Sequence, residues 1–271
     1  AGRDINESAE SLKHDLQQKI EAFARAHHIH TILTGTPAAP PVRRIPPPPP
    51  PARPDVGRNG DVASRMSRLA QSYSGKPDVI AIGISTGGPQ ALTRMLPQLP
   101  ASLPVPVLIV QHMPPKFTLS LANDLNHRCK LAVSEATDGQ PVQAGRILIA
   151  PGGKQMKIDK SDGGLVVRIT DDPAENHCKP SVDFLFRSVA HVCGPNALGI
   201  IMTGMGSDGA LGCRLLKRRG AAIMTQDEAT CVVYGMPKPP TEEGLADVVA
   251  PLDRIAPEIV RLVERSPALC S

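Results

Sequence analysis

A glycine-rich segment around residue 85 holds a serine in a pattern that can activate a hydroxyl nucleophile. Residues 83–87 have the sequence Gly-Ile-Ser-Thr-Gly, which fits the G-x-S-x-G pattern of a nucleophile elbow between a strand and a helix. Glycines permit the sharp turn and the close approach of a substrate to the Ser85 hydroxyl. The backbone N–H groups of Thr86 and Gly87 then lie at a helix start and are candidates to stabilise an oxyanion. A phosphate-binding loop is the alternative, although the segment has neither a Walker A nor a dinucleotide-binding glycine motif.

A histidine follows the next apolar run, 27 residues after Ser85. This separation suits a βαβ crossover, whose two parallel strands end at the same edge of the sheet. His112, in the segment 110–114 (Val-Gln-His-Met-Pro), is therefore a candidate general base for Ser85, although a histidine at a strand end can equally be structural. Three other histidines fall in expected helices or in a loop and are less well placed: His127, His177 and His191.

An acidic side chain follows a third apolar run and glycine-rich turn, within residues 201–210. Asp208 lies near the start of the next expected helix, where the helix dipole stabilises a negative charge. It is expected to cap this helix, to hold His112 in the tautomer that catalysis needs, or to do both. Three such residues at strand ends predict a hydrolase triad in the chain order Ser85, His112, Asp208. Because α/β-hydrolases have the acid before the histidine, the sequence predicts a different fold with the same chemistry.

The elements that carry these residues begin at about residue 78, where short apolar runs start to alternate with amphipathic helical segments. Residues 79–84 form a nearly continuous apolar run, as expected for a parallel strand covered on both faces. The turn signal at residues 162–164, Asp-Gly-Gly, indicates an antiparallel hairpin. The predicted fold class is α/β: a doubly wound, mostly parallel sheet flanked by helices, with a small antiparallel hairpin. In such sheets catalytic groups gather beyond the carboxyl ends of the strands.

Four segments, in order within about residues 77–265, resemble the catalytic domain of the chemotaxis protein-glutamate methylesterases, the CheB family. They are residues 82–89 (IGISTGGP), 110–114 (VQHMP), 203–210 (TGMGSDGA) and 226–237 (QDEATCVVYGMP), and residues 180–186 (PSVDFLF) look like a further family segment. The resemblance implies a serine hydrolase that removes methyl groups from glutamate γ-methyl esters of chemoreceptors. It also implies deamidation of selected receptor glutamines.

The resemblance further implies a role for each candidate residue. Ser85 corresponds to the nucleophile, His112 to the base and Asp208 to the acid that orients it. Thr86 and Met205 flank the reacting carbon, so their backbone N–H groups are oxyanion and substrate-binding candidates alongside that of Gly87. No metal and no cofactor is expected. The expected partners are the cytoplasmic helices of methyl-accepting chemoreceptors.

The first 76 residues differ in composition from the rest of the chain. Ten of the 29 prolines lie between Pro37 and Pro54, which predicts an extended, semi-rigid linker over residues 34–76. Docking of an SH3-like partner to this segment is an alternative. Residues 7–26 have apolar side chains at helical spacing, which predicts one helix with an apolar stripe.

Residues 1–33 resemble the end of the receiver domain that the family usually places before its catalytic domain, which is expected here over residues 77–268. The first 76 residues are too short for a receiver and lack its acidic pair at a strand end. The chain is therefore expected to be a truncation or a variant that begins near the last receiver helix. A histidine kinase is an expected partner only if a receiver precedes Ala1.

Charge and composition argue against several classes of function. Residues 1–76 carry a net charge of +4, whereas residues 77–271 carry 19 basic and 19 acidic side chains. The folded part therefore has no basic excess for nucleic acid, and an aromatic content of 2% argues against base stacking. No apolar run reaches the roughly 18 residues of a membrane span. The absence of a leader-like start and of a C-x-x-C pair predicts a cytoplasmic protein with reduced thiols.

Two other functions remain open at the level of sequence. The turn after Ser85 could belong to a nucleotide- or phosphate-binding α/β signalling domain, but a nucleotide site would need an acidic residue about 20 residues further on. Residues 104–111 supply none. The second alternative is a non-catalytic scaffold in which the proline-rich segment binds the partner.

Overall fold

The computed structural model of this chain describes residues 76–264. The helix expected over residues 7–26 lies outside this range, and so does the linker expected over residues 34–76, except for its last residue.

A seven-stranded sheet, in which every neighbouring pair of strands is parallel, forms the centre of the described region. Its strand order is β3-β4-β2-β1-β7-β8-β9, and a separate antiparallel hairpin pairs β5 with β6. The strands are β1 (Val79–Ile84), β2 (Val107–Gln111), β3 (Ala132–Glu135), β4 (Arg146–Ile149), β5 (Gln155–Ser161), β6 (Gly164–Thr170), β7 (Ala197–Ile201), β8 (Ala222–Gln226) and β9 (Val248–Ala250).

Six α-helices and two short 3₁₀ helices occur within residues 76–264. The α-helices are α1 (Gly88–Met95), α2 (Phe117–Arg128), α3 (Val182–Val192), α4 (Ala210–Arg218), α5 (Lys238–Glu242) and α6 (Leu252–Glu264), and the 3₁₀ helices are Leu96–Gln98 and Gly194–Asn196. None of these described helices combines the length and the apolar character needed to cross a membrane.

Helices cover both faces of the sheet. Apolar residues of α1, α2 and α6 form one core, and those of α3, α4 and the hairpin form the other. Because side chains of a strand alternate between its faces, β1 contributes Ile80 and Ile82 to the first core and Val79 and Ala81 to the second. The prediction of a doubly wound, mostly parallel sheet with a small antiparallel hairpin is confirmed.

The central strand β1 has β2 on one side and β7 on the other. The chain leaves β1 towards α1 on one face and leaves β7 towards α4 on the opposite face. The carboxyl ends of β1 and β7 therefore border the crevice at which ligands bind in sheets of this type.

A glycine in β1 allows α3 to approach this crevice. A Cβ atom at Gly83 would lie 2.4 Å from Cγ1 of Val182, the first residue of α3. Since a contact of that length is not tolerated, any side chain at this position would push the start of α3 away from the sheet. The close packing brings backbone N–H groups of α3 to the carboxyl edge.

Candidate active site

The three sequence-predicted residues Ser85, His112 and Asp208 all lie at the carboxyl edge of the sheet. Ser85 follows the last residue of β1 and His112 the last residue of β2, and the register pairs Ile84 with Gln111, so the two residues leave adjacent strands side by side. The His112 N–H donates to the Ile84 carbonyl at 3.2 Å.

The turn after Ser85 is closed by a glycine in the left-handed conformation, whereas Ser85 itself does not have a positive φ. Gly87 has φ of 82°, in the left-handed region that favours glycine. The Gly88 N–H closes the turn by donating to the Ser85 carbonyl at 2.8 Å, and α1 begins there. The Ser85 N–H donates to the Thr203 carbonyl at 3.0 Å, which ties this turn to the segment after β7.

Gln111, the last residue of β2, forms hydrogen bonds to the residues that follow both β1 and β2. Its Nε2 donates to the carbonyl oxygens of Ser85 at 3.1 Å and of His112 at 3.2 Å. A Cβ atom at Gly88 would lie 1.9 Å from Gln111 Oε1, so only glycine at that position leaves room for the amide. Sequence reasoning missed this residue, although it stands beside His112 in the same motif.

His112, which is partly buried, and Asp208, which is buried, form a hydrogen-bonded pair. His112 Nε2 lies 2.8 Å from Asp208 Oδ2, and only 2% of the Asp208 side chain is exposed. Since Nε2 is engaged with the carboxylate, Nδ1 is the nitrogen that remains to accept a proton. The geometry thus brings together the histidine and the acid that the sequence predicted as partners.

The Asp208 carboxylate accepts hydrogen bonds from four further donors, all on or near the start of α3. Oδ2 accepts from the Val182 N–H at 2.7 Å, and Oδ1 accepts from Ser181 Oγ, Asn176 Nδ2 and the Asp183 N–H at 2.9, 2.9 and 3.1 Å. The expectation that Asp208 caps its own following helix is wrong, because the N-cap of α4 is Gly209 with no side-chain cap. The carboxylate instead satisfies free N–H groups at the start of α3.

The pair is electrostatically matched. Burial opposes a charge on His112, but the hydrogen bonds with Asp208 and Cys178 outweigh burial and raise the pKa of the imidazole to about 9. Burial likewise acts to raise the pKa of Asp208, but the hydrogen bonds from His112 and the Val182 N–H outweigh it, and the net effect lowers that pKa. Both shifts favour an imidazolium facing a carboxylate, the state that an orienting acid stabilises.

Ser85 and His112 are neighbours without a hydrogen bond between their side chains. Within residues 76–264 the Ser85 hydroxyl has no hydrogen-bond partner, and His112 Nδ1 faces Cys178 Sγ at 3.6 Å. In enzymes without bound substrate, the bond between nucleophile and base is often long and forms only in the complex. The described structure thus shows the His112–Asp208 pair, and the contact of Ser85 with His112 remains a prediction.

Of the oxyanion candidates, Thr86 and Gly87 directly follow Ser85, and Met205 follows Gly204, where a Cβ atom would lie 2.8 Å from Ser85 Cβ. None of their backbone N–H groups donates to an acceptor within the described residues, so these donors are free for a ligand. The Met205 side chain is 48% exposed and Val232 is 63% exposed. Val232 lies against the turn, since a Cβ atom at Gly87 would be 2.6 Å from Val232 Cβ.

Thr203 is another residue that sequence reasoning missed. Its hydroxyl donates to the Thr86 carbonyl at 2.9 Å and accepts from the N–H groups of Val232 and Val233 at 3.0 and 3.1 Å. One buried hydroxyl therefore holds the turn after Ser85 and the segment around Val232 in fixed relation. In the sequence, the one indication of such a role was that Thr203 follows the end of an apolar run.

Three residue types that bind metals meet in this site: His112, Cys178 and Asp208 have ligand atoms within 4.8 Å of one another. Both oxygens of Asp208 already accept at least two hydrogen bonds. The carboxylate therefore has little capacity left for a cation, and the cluster fits proton transfer better than metal binding.

The doubly wound sheet and the Ser, His and Asp at its carboxyl edge define an α/β protein built around a candidate hydrolase site. The family model described as CheB methylesterase matches residues 80–259. The chain belongs to the CheB methylesterase family.

Relatives and a solved structure agree with this assignment. A protein-glutamate methylesterase/protein-glutamine glutaminase of Desulfotalea psychrophila is 56% identical over 192 residues, which cover 70% of this chain and 53% of that protein. One from Oleidesulfovibrio alaskensis is 40% identical over 254 residues, covering 93% of this chain and 68% of the relative. The crystal structure of the Thermotoga maritima CheB methylesterase catalytic domain matches with a TM-score of 0.68 and 39% identity, over 69% of this chain and all of that one. The chain spans about half the length of the first curated relatives it matches.

Proposed function

We propose that this chain carries the catalytic domain of a protein-glutamate methylesterase that also deamidates protein glutamine, with its boundaries at residues 77–268. The observation that carries the proposal is the His112–Asp208 hydrogen bond at the end of the strand next to Ser85, with Asp208 buried. The names of the relatives support the same activity. Ser85 is the nucleophile, His112 the general base and Asp208 the acid that orients it.

The first half of the reaction forms an ester with the enzyme. Ser85 Oγ attacks the carbonyl carbon of the glutamate γ-methyl ester while His112 Nδ1 takes the hydroxyl proton. The carbonyl oxygen becomes an oxyanion, which the free N–H groups of Thr86, Gly87 and Met205 are candidates to stabilise. The intermediate collapses, the C–O bond to the methoxy group breaks, and His112 returns its proton to the departing methanol.

The second half of the reaction restores the enzyme. Water attacks the glutamyl ester and gives a proton to His112 Nδ1, and Ser85 leaves with that proton; the γ-carboxylic acid that forms then loses its own proton to solvent to give the glutamate carboxylate. With a glutamine substrate the leaving group is ammonia and the other steps are the same. The protons exchanged between Ser85, water and the leaving group all pass through His112 in this scheme, which needs no further group.

The partners in this proposal are the cytoplasmic helices of methyl-accepting chemoreceptors, and the protein acts in the cytoplasm. The exposed side chains of Met205 and Val232 support this substrate class, because they place an apolar rim beside Ser85. An amphipathic helix offers such a rim an apolar stripe next to its glutamate side chains. A histidine kinase acts on the protein only if a receiver domain precedes Ala1.

Methanol release from a methylated receptor fragment tests the proposal. We expect Ser85→Ala to lower the rate by about 10⁴-fold or more, as removal of a triad nucleophile does, while the protein stays folded. Ser207→Ala is the matched control, because Ser207 is an exposed serine at the same edge of the sheet. Full activity of Ser85→Ala would refute the assignment.

A serine-directed phosphonate probe separates this proposal from the alternatives. Covalent labelling of Ser85 in the wild type, absent in Ser85→Ala, is expected of an esterase. A turn that only binds phosphate or nucleotide would not be labelled. A scaffold that acts through its proline-rich segment would keep its function when Ser85 is replaced.

A further inference from the structure

The loop that faces His112 and Asp208 is a two-residue hairpin over residues 175–178. Glu175 and Cys178 exchange both backbone hydrogen bonds, at 3.1 and 2.8 Å. The two central residues, Asn176 and His177, have φ of 52° and 60°. Positive φ at both positions is the signature of a type I′ turn, and asparagine is a preferred residue for it. The backbone of this loop is therefore well defined by its own sequence.

This hairpin is fixed on its outer side as well. The Arg187 guanidinium, from α3, binds the Glu175 carboxylate with two hydrogen bonds of 2.5 and 3.1 Å. It also lies 5.3 Å from the centroid of the Phe184 ring. A bidentate pair of this kind fixes orientation as well as distance. The turn is thus held against α3 and presents its inner side chains to the catalytic pair.

Asn176 is the residue of the turn that contacts the acid, although the residue as a whole is exposed. Its Nδ2 donates to Asp208 Oδ1 at 2.9 Å and to Asp183 Oδ2 at 2.8 Å. Both carboxylates are buried, at 3% and 4% exposure. A side-chain amide has two N–H groups, so one neutral group serves two carboxylates without adding charge.

The position of the Asn176 amide affects the ionisation of two neighbouring acids, Asp208 and Asp183. The Asp183 N–H already donates to Asp208 Oδ1, so the two acidic residues adjoin each other. Two buried carboxylates in proximity tend to share a proton, because both cannot ionise at low cost. The amide of Asn176 stands between them and gives each a hydrogen bond that favours its ionised form. Asp208 can then face His112 with its full charge.

We propose that Asn176 is a positioning residue of the catalytic site, which holds Asp208 ionised and oriented towards His112 Nε2. Asn176 acts through Asp208 and touches no reacting atom. The inference rests on the proposed function, because orientation of His112 matters only if His112 serves as the base. It assigns a function to a turn that no sequence motif pointed to.

Two substitutions at this position separate the amide from the turn. Asn176→Gly keeps the backbone, since glycine adopts positive φ freely, and removes the amide. Asn176→Asp keeps the shape and replaces the N–H donors by a carboxylate. The matched controls are His177→Gly and His177→Asp, because His177 has the same backbone conformation and is likewise exposed, but its side chain makes no hydrogen bond within residues 76–264.

We expect both Asn176 variants to lower kcat for methanol release by about 10- to 100-fold with KM within twofold, as loss of a group that orients a catalytic ligand does. Both His177 variants should keep wild-type kcat. Values of kcat within twofold of wild type in both Asn176 variants would overturn the inference. So would loss of the fold in both Asn176 variants while the His177 variants fold, because Asn176 would then be structural.

A second measurement does not depend on catalysis. The proton on His112 Nε2 is buried between the ring and Asp208, so proton NMR should detect it as a slowly exchanging downfield signal. We expect the signal to broaden or move in both Asn176 variants and to persist in both His177 variants. An unchanged signal in the Asn176 variants would contradict the role of the amide. Failure of the proposed function would be seen separately, as absence of methanol release by the wild type.

Discussion

Replacement of Asp208 by asparagine is the sharpest test of the site, because five donors converge on the two oxygens of that side chain. Asparagine has the same shape but only one acceptor oxygen. Its NH₂ group must therefore face either the donors that bind Oδ1 or those that bind Oδ2 in the wild type. In the second orientation it opposes the Val182 N–H and donates to His112 Nε2, which leaves the proton on Nδ1, the nitrogen that has to act as the base.

Two magnitudes follow from this geometry. The wrong tautomer in a triad lowers kcat by about 10⁴-fold, which corresponds to about 5.5 kcal/mol of transition-state stabilisation. In either orientation at least one buried N–H of α3 loses its acceptor, and an unsatisfied buried donor costs about 1–3 kcal/mol of unfolding free energy. For a domain of this size each kcal/mol lowers Tm by about 2–4 °C.

The assay compares Asp208→Asn with wild type in methanol release and in thermal unfolding. Asp253→Asn is the control, because Asp253 of α6 makes an exposed ion pair with Arg94 of α1. Such exposed pairs contribute about 0–1 kcal/mol to stability. A kcat loss below tenfold would refute the role of Asp208 in catalysis. An unchanged Tm would refute its role at the start of α3.

Three further outcomes follow from the same contacts. The base must be neutral, so kcat/KM should rise with pH up to about 9, the pKa to which burial, Asp208 and Cys178 together bring His112; a plateau from pH 7 would contradict this. Cys178→Ala removes a group that raises the pKa of His112, so the rise of kcat/KM should occur at lower pH and kcat/KM at pH 7 should increase. A pH profile identical to that of the wild type would contradict this. Val232→Asp should raise KM at least about tenfold by placing a charge on the apolar rim, whereas Val249→Asp, at another exposed valine, should leave KM unchanged; equal effects would exclude Val232 from the binding surface.

The parts of the site that could be predicted from sequence depend on short-range patterns. Buried apolar runs followed by glycine-rich turns marked the strand ends, and a parallel sheet brings such ends to one edge. Ser85, His112 and Asp208 therefore lie where their segments predicted. The strand Ala132–Glu135 contains no apolar run, and only one of its four residues is buried, so its sequence carries no signal of a strand.

The remaining parts depend on contacts between segments distant in sequence. Asn176 and Cys178 reach Asp208 and His112 through a turn whose position is set by Arg187 and by packing of α3. Asp208 stabilises α3 and not the helix that follows it, because α3 packs against β1 at Gly83. No periodicity within a single segment carries this information.

The attachment of Asp208 to the start of α3 has an evolutionary consequence. The Ser85 hydroxyl makes no hydrogen bond within residues 76–264, so a lineage can lose that hydroxyl without loosening the fold. Asp208 anchors the start of α3 in addition to its proposed role in turnover, and selection for a stable protein would preserve it after selection for activity had ended. Descendants of this domain that no longer hydrolyse esters are therefore expected to have a substituted serine and a retained aspartate.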